Sequence, residues 1–486
     1  MDVIVAIDQG SSSTKVLAMD AQRRVVVRSS VPVRSYRLGN NWVEFDVHEV
    51  WRSVEGAVAE CVSKLPADAR IVGVGVANQR ESAIAWRASD NEPIGSGISW
   101  QCQRGEEYCE AVGQRIGATR YEQLTGLRLS TAISAPKFAW LLERVGTHDV
   151  CVGTVDAWLA QWLTASQQAR SESGNGSRTG LVDLRNGEWS PELLDAFNIP
   201  VSCLPVLGPS INQFGECTRP TALRGVPLLA LCGDSHAALF SHFVRDPEVV
   251  KATYGTGSSV VGTVIESGSA WKNRVDTLSR SIVWRLDSPL YADEGNVLSA
   301  GSFLEWAASL LGAANVGELE RLAASGEGAG DCVMMIPALG GLGAPWHAAH
   351  ARTMLGGAGE ATGPKEIAFA AFRGVGHLVA DIAEPLMECR EGARRLLVDG
   401  GASRSDLLMQ SQADLLGVSV VRPAEASRSA VGVAYMAGLG AGLWELEDLE
   451  CGDEPAVVFE PRISEDQRAS ERHRWRQLVG CCTSTA

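Results

Sequence analysis

The chain has 486 residues and a formal charge of −15, from 43 Lys and Arg against 58 Asp and Glu. That length exceeds one core at ~100–200 residues per domain, so two or three domains are expected. Apolar residues at 45% and charged residues at 21% exclude a disordered or fibrous chain, and the acidic balance argues against nucleic acid or an anionic membrane as a partner.

In chain order, Val3–Asp8, Lys15–Asp20 and Arg24–Ser29 read as short strands, with a Gly-Ser turn at residues 10–13. Asp46 and Glu49 open a helix whose apolar positions (Val50, Trp51, Val54, Ala57, Val58, Cys61 and Val62) recur every three or four residues. Ile71–Ala77 reads as a buried strand ending at Asn78-Gln79-Arg80-Glu81. The polar stretch Ser166–Thr179 predicts a surface loop. Leu228–Cys232 is a strand running into Gly233-Asp234, and Val260–Val264 is another that follows a Gly-hydroxyl turn at Thr253–Ser259. Helices are expected over Ser299–Leu311 and Pro364–Glu388, then a strand at Arg395–Val398 and a helix after Ser405. Hairpins followed by helix and strand predict mixed α/β layers, twice over, with a boundary near residue 245: 1–245 and 246–486.

No basic leader or small-residue cleavage pattern precedes or follows Val3–Ile7, and no run approaches ~18 apolar residues. The twelve cysteines show neither Cys-x-x-Cys nor a Cys/His cluster, and Cys481-Cys482 sit in a polar tail. A reduced cytoplasmic setting is expected.

Three turns invite a ligand, the first two a phosphate and the third a phosphate or a flat ring. In Asp8-Gln9-Gly10-Ser11-Ser12-Ser13-Thr14-Lys15 a strand ends in a carboxylate and a Gly-led turn offers N–H groups and hydroxyls. Such a turn cradles phosphate oxygens while Asp8 holds Mg²⁺ through water; an ordinary hairpin has the same composition. Thr253–Ser259, with Lys251 two residues before it, and Asp399-Gly400-Gly401-Ala402 are the others. Asp234, just after a strand and a Gly, lies where α/β sites form and is a candidate general base; the bland alternative is a helix N-cap. His236 is a second candidate base or a structural hydrogen-bonder. Arg80-Glu81 suits vicinal hydroxyls, or else a surface ion pair, and Trp100 is a pocket wall or core.

These residues fall in one register with Trp42-Val43-Glu44, Ile98-Ser99-Trp100-Gln101, Gly153–Leu159 and Gly341–Pro345. Together they resemble the FGGY carbohydrate kinases, in the branch nearest glycerol kinase, within the actin-like ATPase superfamily. The resemblance implies an α/β fold of two actin-like (ribonuclease H-like) domains, with mixed sheets flanked by helices and the active site in the interdomain cleft. It implies transfer of a phosphoryl group from ATP, with Mg²⁺, to a sugar or polyol, by a protein often found as a homodimer. The N-terminal domain would carry the acceptor, the first phosphate loop and the catalytic Asp; the C-terminal domain would hold nucleotide. By position, Asp234 matches the catalytic base and Asp8 the Mg²⁺-associated acid. Ser11, Ser12, Ser13 and Lys15 match the first phosphate loop and Thr256 the second; Gly301, Gly401 and Ser405 fall near the nucleotide. Arg80, Glu81, Trp100 and Ser235 line the acceptor.

The departures are Ala132, Ser235 and Ser259 where glycerol kinases carry Tyr, Gln and Phe, and Glu305 and Ser405 for Gln and Asn near adenine. Smaller pocket residues beside a retained Arg and Glu imply an acceptor of four to six carbons, polyol or ketose, rather than glycerol. The alternatives are a glycerol kinase proper, an actin-like ATPase without a sugar acceptor, and a catalytically silent binding protein.

Overall fold

The computed structural model describes residues 1–244, 246, 248–264, 275–326, 333–390, 394–450 and 456–484. Residue 245, the expected boundary, lies outside that set. Two mixed sheets follow one plan. In the first, Asp2–Gln9, Ser13–Asp20 and Val25–Pro32 form an antiparallel meander, Arg70–Asn78 and Pro227–Gly233 add in parallel beside Asp2–Gln9, and Ile211–Glu216 closes the edge antiparallel. In the second, Val250–Tyr254, Ser258–Val264 and Pro289–Val297 form the meander, Arg395–Asp399 and Ser419–Pro423 add in parallel, and Ala456–Phe459 closes the edge. One further strand, Ser279–Arg285, extends the second meander. The shared order makes the two halves variants of one design.

Central strands are buried on both faces, which is why Val3–Ile7 is a continuous apolar run rather than an alternation. The helix Val47–Ser63 packs its Val50, Val54, Ala57, Val58 and Cys61 stripe on that sheet. Asp46 caps it by accepting from the His48 N–H at 2.8 Å. Glu49 does not complete a capping box, because its carboxylate instead receives the Arg34 N–H and the Tyr36 hydroxyl.

One helix reaches far across the division between halves. Helix Arg428–Gly440 follows a strand of the second sheet but packs on the first, its Val431, Val433, Ala434 and Ala437 joining Ile4, Ala6 and Leu229. Gly75 allows this approach: a Cβ there would lie 2.6 Å from the Val433 carbonyl oxygen.

Two expectations are corrected. Only the start of Ser166–Thr179 is surface; Arg170–Glu172 is a strand and Ser173–Arg178 a buried helix. Its polar side chains are tolerated there because most are paired: the Ser171 hydroxyl donates to Asp156 at 2.6 Å, and the Asn175 and Asn78 amides exchange hydrogen bonds of 3.0 and 2.9 Å. The polar tail is helix Glu465–Ser484, which buries Arg472, Trp475, Val479 and Cys482 against the second half. Among the described residues, no helix is long and apolar enough to cross a membrane.

Candidate active site

The site forms where parallel strands of both sheets end. Asp8 pairs in register with Ala77, and Asn78 with Gly233, so Asp8, the segment after Asn78 and Asp234 emerge at one edge. In the other half Thr253 pairs with Asp399, which sets the Gly255–Gly257 and Gly400–Ala402 turns side by side. Gly400, at φ +91°, lies against Tyr254, where a Cβ would come within 2.5 Å of the carbonyl oxygen.

The first turn is closed by the Gly10 N–H donating to the Ser13 carbonyl at 3.0 Å. Ser11, Ser12, Ser13 and Lys15 are all at least partly exposed on it, whereas Thr14 is buried against Ser53 at 2.6 Å. In the second turn Thr256 is exposed at its tip. Helix Gly301–Leu310 starts against this turn, with the Gly301 N–H donating to the Gly255 carbonyl at 3.0 Å. A Cβ at Gly301 would sit 2.6 Å from that oxygen, so contact with the turn requires the glycine. Gly401 differs: it is exposed, and a Cβ there would meet nothing within 4 Å. Glu305 is exposed on the helix after Gly301. The Ser405 hydroxyl is committed within the protein, accepting from the Leu408 N–H and donating to Glu320 at 2.7 Å.

Lys251 does not reach out beside the second turn. It is fully buried, its ammonium donating to the Thr253 hydroxyl and lying 3.5 Å from Asp399.

Asp234 is the first residue of helix Asp234–Phe243, and Gly233, not Asp234, is the N-cap. Its carboxylate accepts the Ser235 N–H at 2.6 Å and is about a third exposed, at 36%. Burial raises its pKa, and Arg80 opposes the rise. The Ser235 hydroxyl is buried without a hydrogen-bond partner. His236 is fully buried, and burial followed by the Arg80 charge holds its pKa well below the usual range. The ring is therefore neutral and Nε2 accepts from Arg80 Nη1 at 3.0 Å, so His236 serves as a hydrogen-bonding prop.

Asp8 is nearly buried, and its pKa is raised to about 7, chiefly by burial; Lys15 opposes this while Asp234 and Asp399 add to it. The charges of Asp234 and Asp399 thus both reach Asp8.

Arg80 and Glu81 are neither a surface pair nor partners of each other. Glu81 adopts φ +60°, which sends the two side chains apart. Arg80 forks onto Glu294 at 2.7 and 2.8 Å, with Nε 3.5 Å from Asp234. Glu81 receives Arg178 Nε at 2.6 Å. Gly233 gives the Arg80 stem room to pass, since a Cβ there would meet its Cδ at 2.6 Å. Trp100 is 40% exposed rather than core. It is held by a relay in which Gln79 donates to Gln9 (3.1 Å), Ser82 donates to Gln79 (2.9 Å), and the Trp100 N–H donates to Ser82 (3.0 Å). Ala132 is exposed, and the Ser259 hydroxyl turns to Glu294 at 2.7 Å.

Three residues of this neighbourhood escape a reading of the sequence. Arg178 lies in the supposed loop. Glu294 sits with Asp293 inside an apolar strand, where two buried acids signal partners elsewhere. Lys137 is buried on a helix and donates to the carbonyls of Thr131, Ala132 and Ile133 at 2.6, 3.1 and 2.7 Å, fixing the Ala132 loop; burial pulls its pKa down to about 8.

Duplicated mixed sheets, glycine-hydroxyl turns at their strand ends and a carboxylate about a third exposed beside them suit a small-molecule kinase. Residues 3–241 match the N-terminal domain of the FGGY family of carbohydrate kinases, and residues 250–441 match its C-terminal domain. The chain is 35% identical to an apulose kinase of Pectobacterium atrosepticum, over 98% of this chain and 97% of that one. It is 33% identical to a glycerol kinase of Parabacteroides distasonis, with the same coverage. Glycerol kinase of Plasmodium falciparum, solved with ADP, superposes with a TM-score of 0.88 at 24% identity, over 99% of this chain and 98% of that one. The chain belongs to the FGGY family of carbohydrate kinases.

Proposed function

We propose that the protein transfers the γ-phosphoryl group of ATP to a hydroxyl of a four- to six-carbon polyol or ketose. Asp234 is the general base of this reading. The observation that carries it is a carboxylate about a third exposed, flanked by Arg80, at the strand edge where the Asp8 and Asp399 segments converge.

The acceptor hydroxyl lies against Asp234, which takes its proton as the oxygen attacks the γ-phosphorus. The new O–P bond forms as the bond to the β-γ bridging oxygen breaks, and ADP leaves with that electron pair. The raised pKa of Asp234 makes it the better acceptor of a proton. Ser11, Ser12, Ser13 and Lys15 hold phosphate oxygens from one side and Thr256 from the other. Gly401 leaves backbone open to the nucleoside, and Gly301 keeps the second turn in contact with its helix. In this scheme residues 1–245 carry the acceptor and 246–486 the nucleotide.

Mg²⁺ fits this donor set. Asp8 is crowded by two other acids with Lys15 as the opposing cation, so added positive charge is favoured there. Among the described residues no three acids, histidines or cysteines form a metal cage, so Asp8 would serve beside the phosphates rather than within a protein cluster. When bound, the ion neutralises charge on the transferring phosphoryl group.

Ala132 is small and exposed, and Ser259 is drawn back to Glu294. Both favour an acceptor larger than glycerol. The test is ADP formation with glycerol, erythritol, xylitol, ribitol, D-xylulose, D-ribulose and apulose. A best kcat/KM with a larger member supports the proposal. A best value with glycerol makes this a glycerol kinase proper, and hydrolysis indifferent to every acceptor makes it an ATPase.

A further inference from the structure

Around Asp234 lies a network of buried and partly buried charges. Arg80, Glu81, Arg178 and Asp234 all come from the first half, on the segment after Arg70–Asn78, the end of helix Ser173–Arg178 and the start of helix Asp234–Phe243. Glu294 alone comes from the second sheet, on strand Pro289–Val297, and it is 2% exposed. It accepts from Arg80 Nη1 and Nη2 at 2.7 and 2.8 Å and from the Ser259 hydroxyl at 2.7 Å, and lies 3.7 Å from Arg178.

These bonds use only part of the donor capacity of Arg80. A guanidinium has five N–H groups. Both on Nη1 are used, by Glu294 and by His236 Nε2 at 3.0 Å, and one on Nη2 is used by Glu294. The Nε–H and one Nη2–H remain, and Nε faces Asp234 Oδ1 across 3.5 Å, too wide for a good hydrogen bond. A hydroxyl set at that edge would accept from Arg80 and donate to Asp234 at once.

We infer that Glu294 is a positioning residue for the acceptor: by fixing the Arg80 fork from the opposite half, it turns the Nε edge toward Asp234. This rests on the phosphotransfer reading above. A purely structural pair is the competing account. Burying two charges, however, roughly cancels in stability against apolar replacements, so stability alone gives little reason for it. Ser259 adds a second brace, because its hydroxyl holds Oε1 of Glu294 in place.

The assignment is tested with Glu294→Gln, which keeps the shape and removes the charge. Wild type is first assayed with glycerol, erythritol, xylitol and D-xylulose, and the acceptor of highest kcat/KM is used. In the variant, acceptor KM should rise ~10-fold or more while the KM for ATP stays within about twofold. A merely structural role would lower the melting temperature without singling out the acceptor. An acceptor KM within about twofold of wild type in folded protein overturns the assignment. If Glu294→Gln gives no cooperative melt, Ser259→Ala decides. A rise of ~3-fold in acceptor KM at an unchanged melting temperature supports the brace, and an unchanged KM overturns it. If wild type phosphorylates none of the four, the phosphotransfer reading falls and takes this one with it. If it phosphorylates one and the variants match it, only the Glu294 assignment falls.

Discussion

Gly432 lies directly on the carbonyl of Ala237: a Cβ at 432 would sit 1.7 Å from that oxygen. Gly432 belongs to the helix that crosses from the second half, and Ala237 lies three residues beyond Asp234. Replacing Gly432 by Ala must separate the two helices, because backbone cannot yield as a flexible side chain would. The expected loss is about 3 kcal/mol in urea unfolding, with a fall in turnover as the Asp234 helix shifts. A variant as stable and active as wild type would show that this contact positions nothing.

Asp234→Asn keeps the side-chain shape and removes the proton acceptor. Turnover should fall ~100-fold or more, while ADP affinity by calorimetry stays within about twofold. An unchanged turnover number would move the base elsewhere, though not to His236, whose Nε2 is occupied by Arg80.

Much of this was legible in the sequence, and the misses share a cause. Strands such as Val3–Ile7 announce themselves because burial on both faces demands an unbroken apolar run. The helix Pro364–Glu388 is legible from its proline start and its period. The turn at Gly400 is legible because its φ of +91° and the nearby Tyr254 carbonyl demand a glycine, and those at Gly10 and Gly255 are legible from their Gly-hydroxyl composition. Ser166–Thr179 was not, because polar composition looks the same whether water or a protein group satisfies it; here Asn78, Asp156 and Glu81 do so. The Arg80–Glu294 pair was not, because its partners lie 214 residues apart and no local pattern connects them. A sequence shows that Arg80 needs a partner without saying which acid supplies it.

Gly301 and Gly401 look alike in the sequence, but their surroundings separate them. A Cβ at Gly401 meets nothing within 4 Å, and its φ of −65° suits any residue. Gly401→Ala should therefore change stability by less than about 0.5 kcal/mol. If nucleotide approaches that face, the KM for ATP should rise ~10-fold or more. Gly301→Ala should instead destabilise by about 1–3 kcal/mol, because its Cβ would press on the Gly255 carbonyl. Urea melts and ATP titrations of both variants separate the two effects. A Gly401→Ala enzyme with unchanged KM would remove that residue from the nucleotide site.

A buried histidine and its glutamate partner tie stability to acid pH. His377 is buried against Trp475, rings stacked at 4.5 Å, with Nδ1 3.0 Å from Arg472 and Nε2 3.2 Å from Glu471. The neutral ring satisfies both, accepting from the arginine and donating to the carboxylate. Burial, helped by the Arg472 charge, takes its pKa from an ordinary 6.5 to about 3. Glu471 is held down at about 2 against burial, by its bond to His377 and the Arg373 charge, from an ordinary 4.5. Both shifts are depressions, so the unfolded chain binds protons that the folded one refuses. The stability they contribute is present above the unfolded values and is lost on acidification. From pH 6.5 to 4.5 His377 alone should cost about 1.4 kcal/mol per pH unit, and below 4.5 Glu471 should roughly double the slope. His377→Gln removes one titrating site. Its unfolding free energy, measured by urea titration at several pH values, should fall less steeply than wild type between pH 6.5 and 4.5, by about one proton's worth. Parallel slopes would mean that His377 already carries its proton in the folded protein.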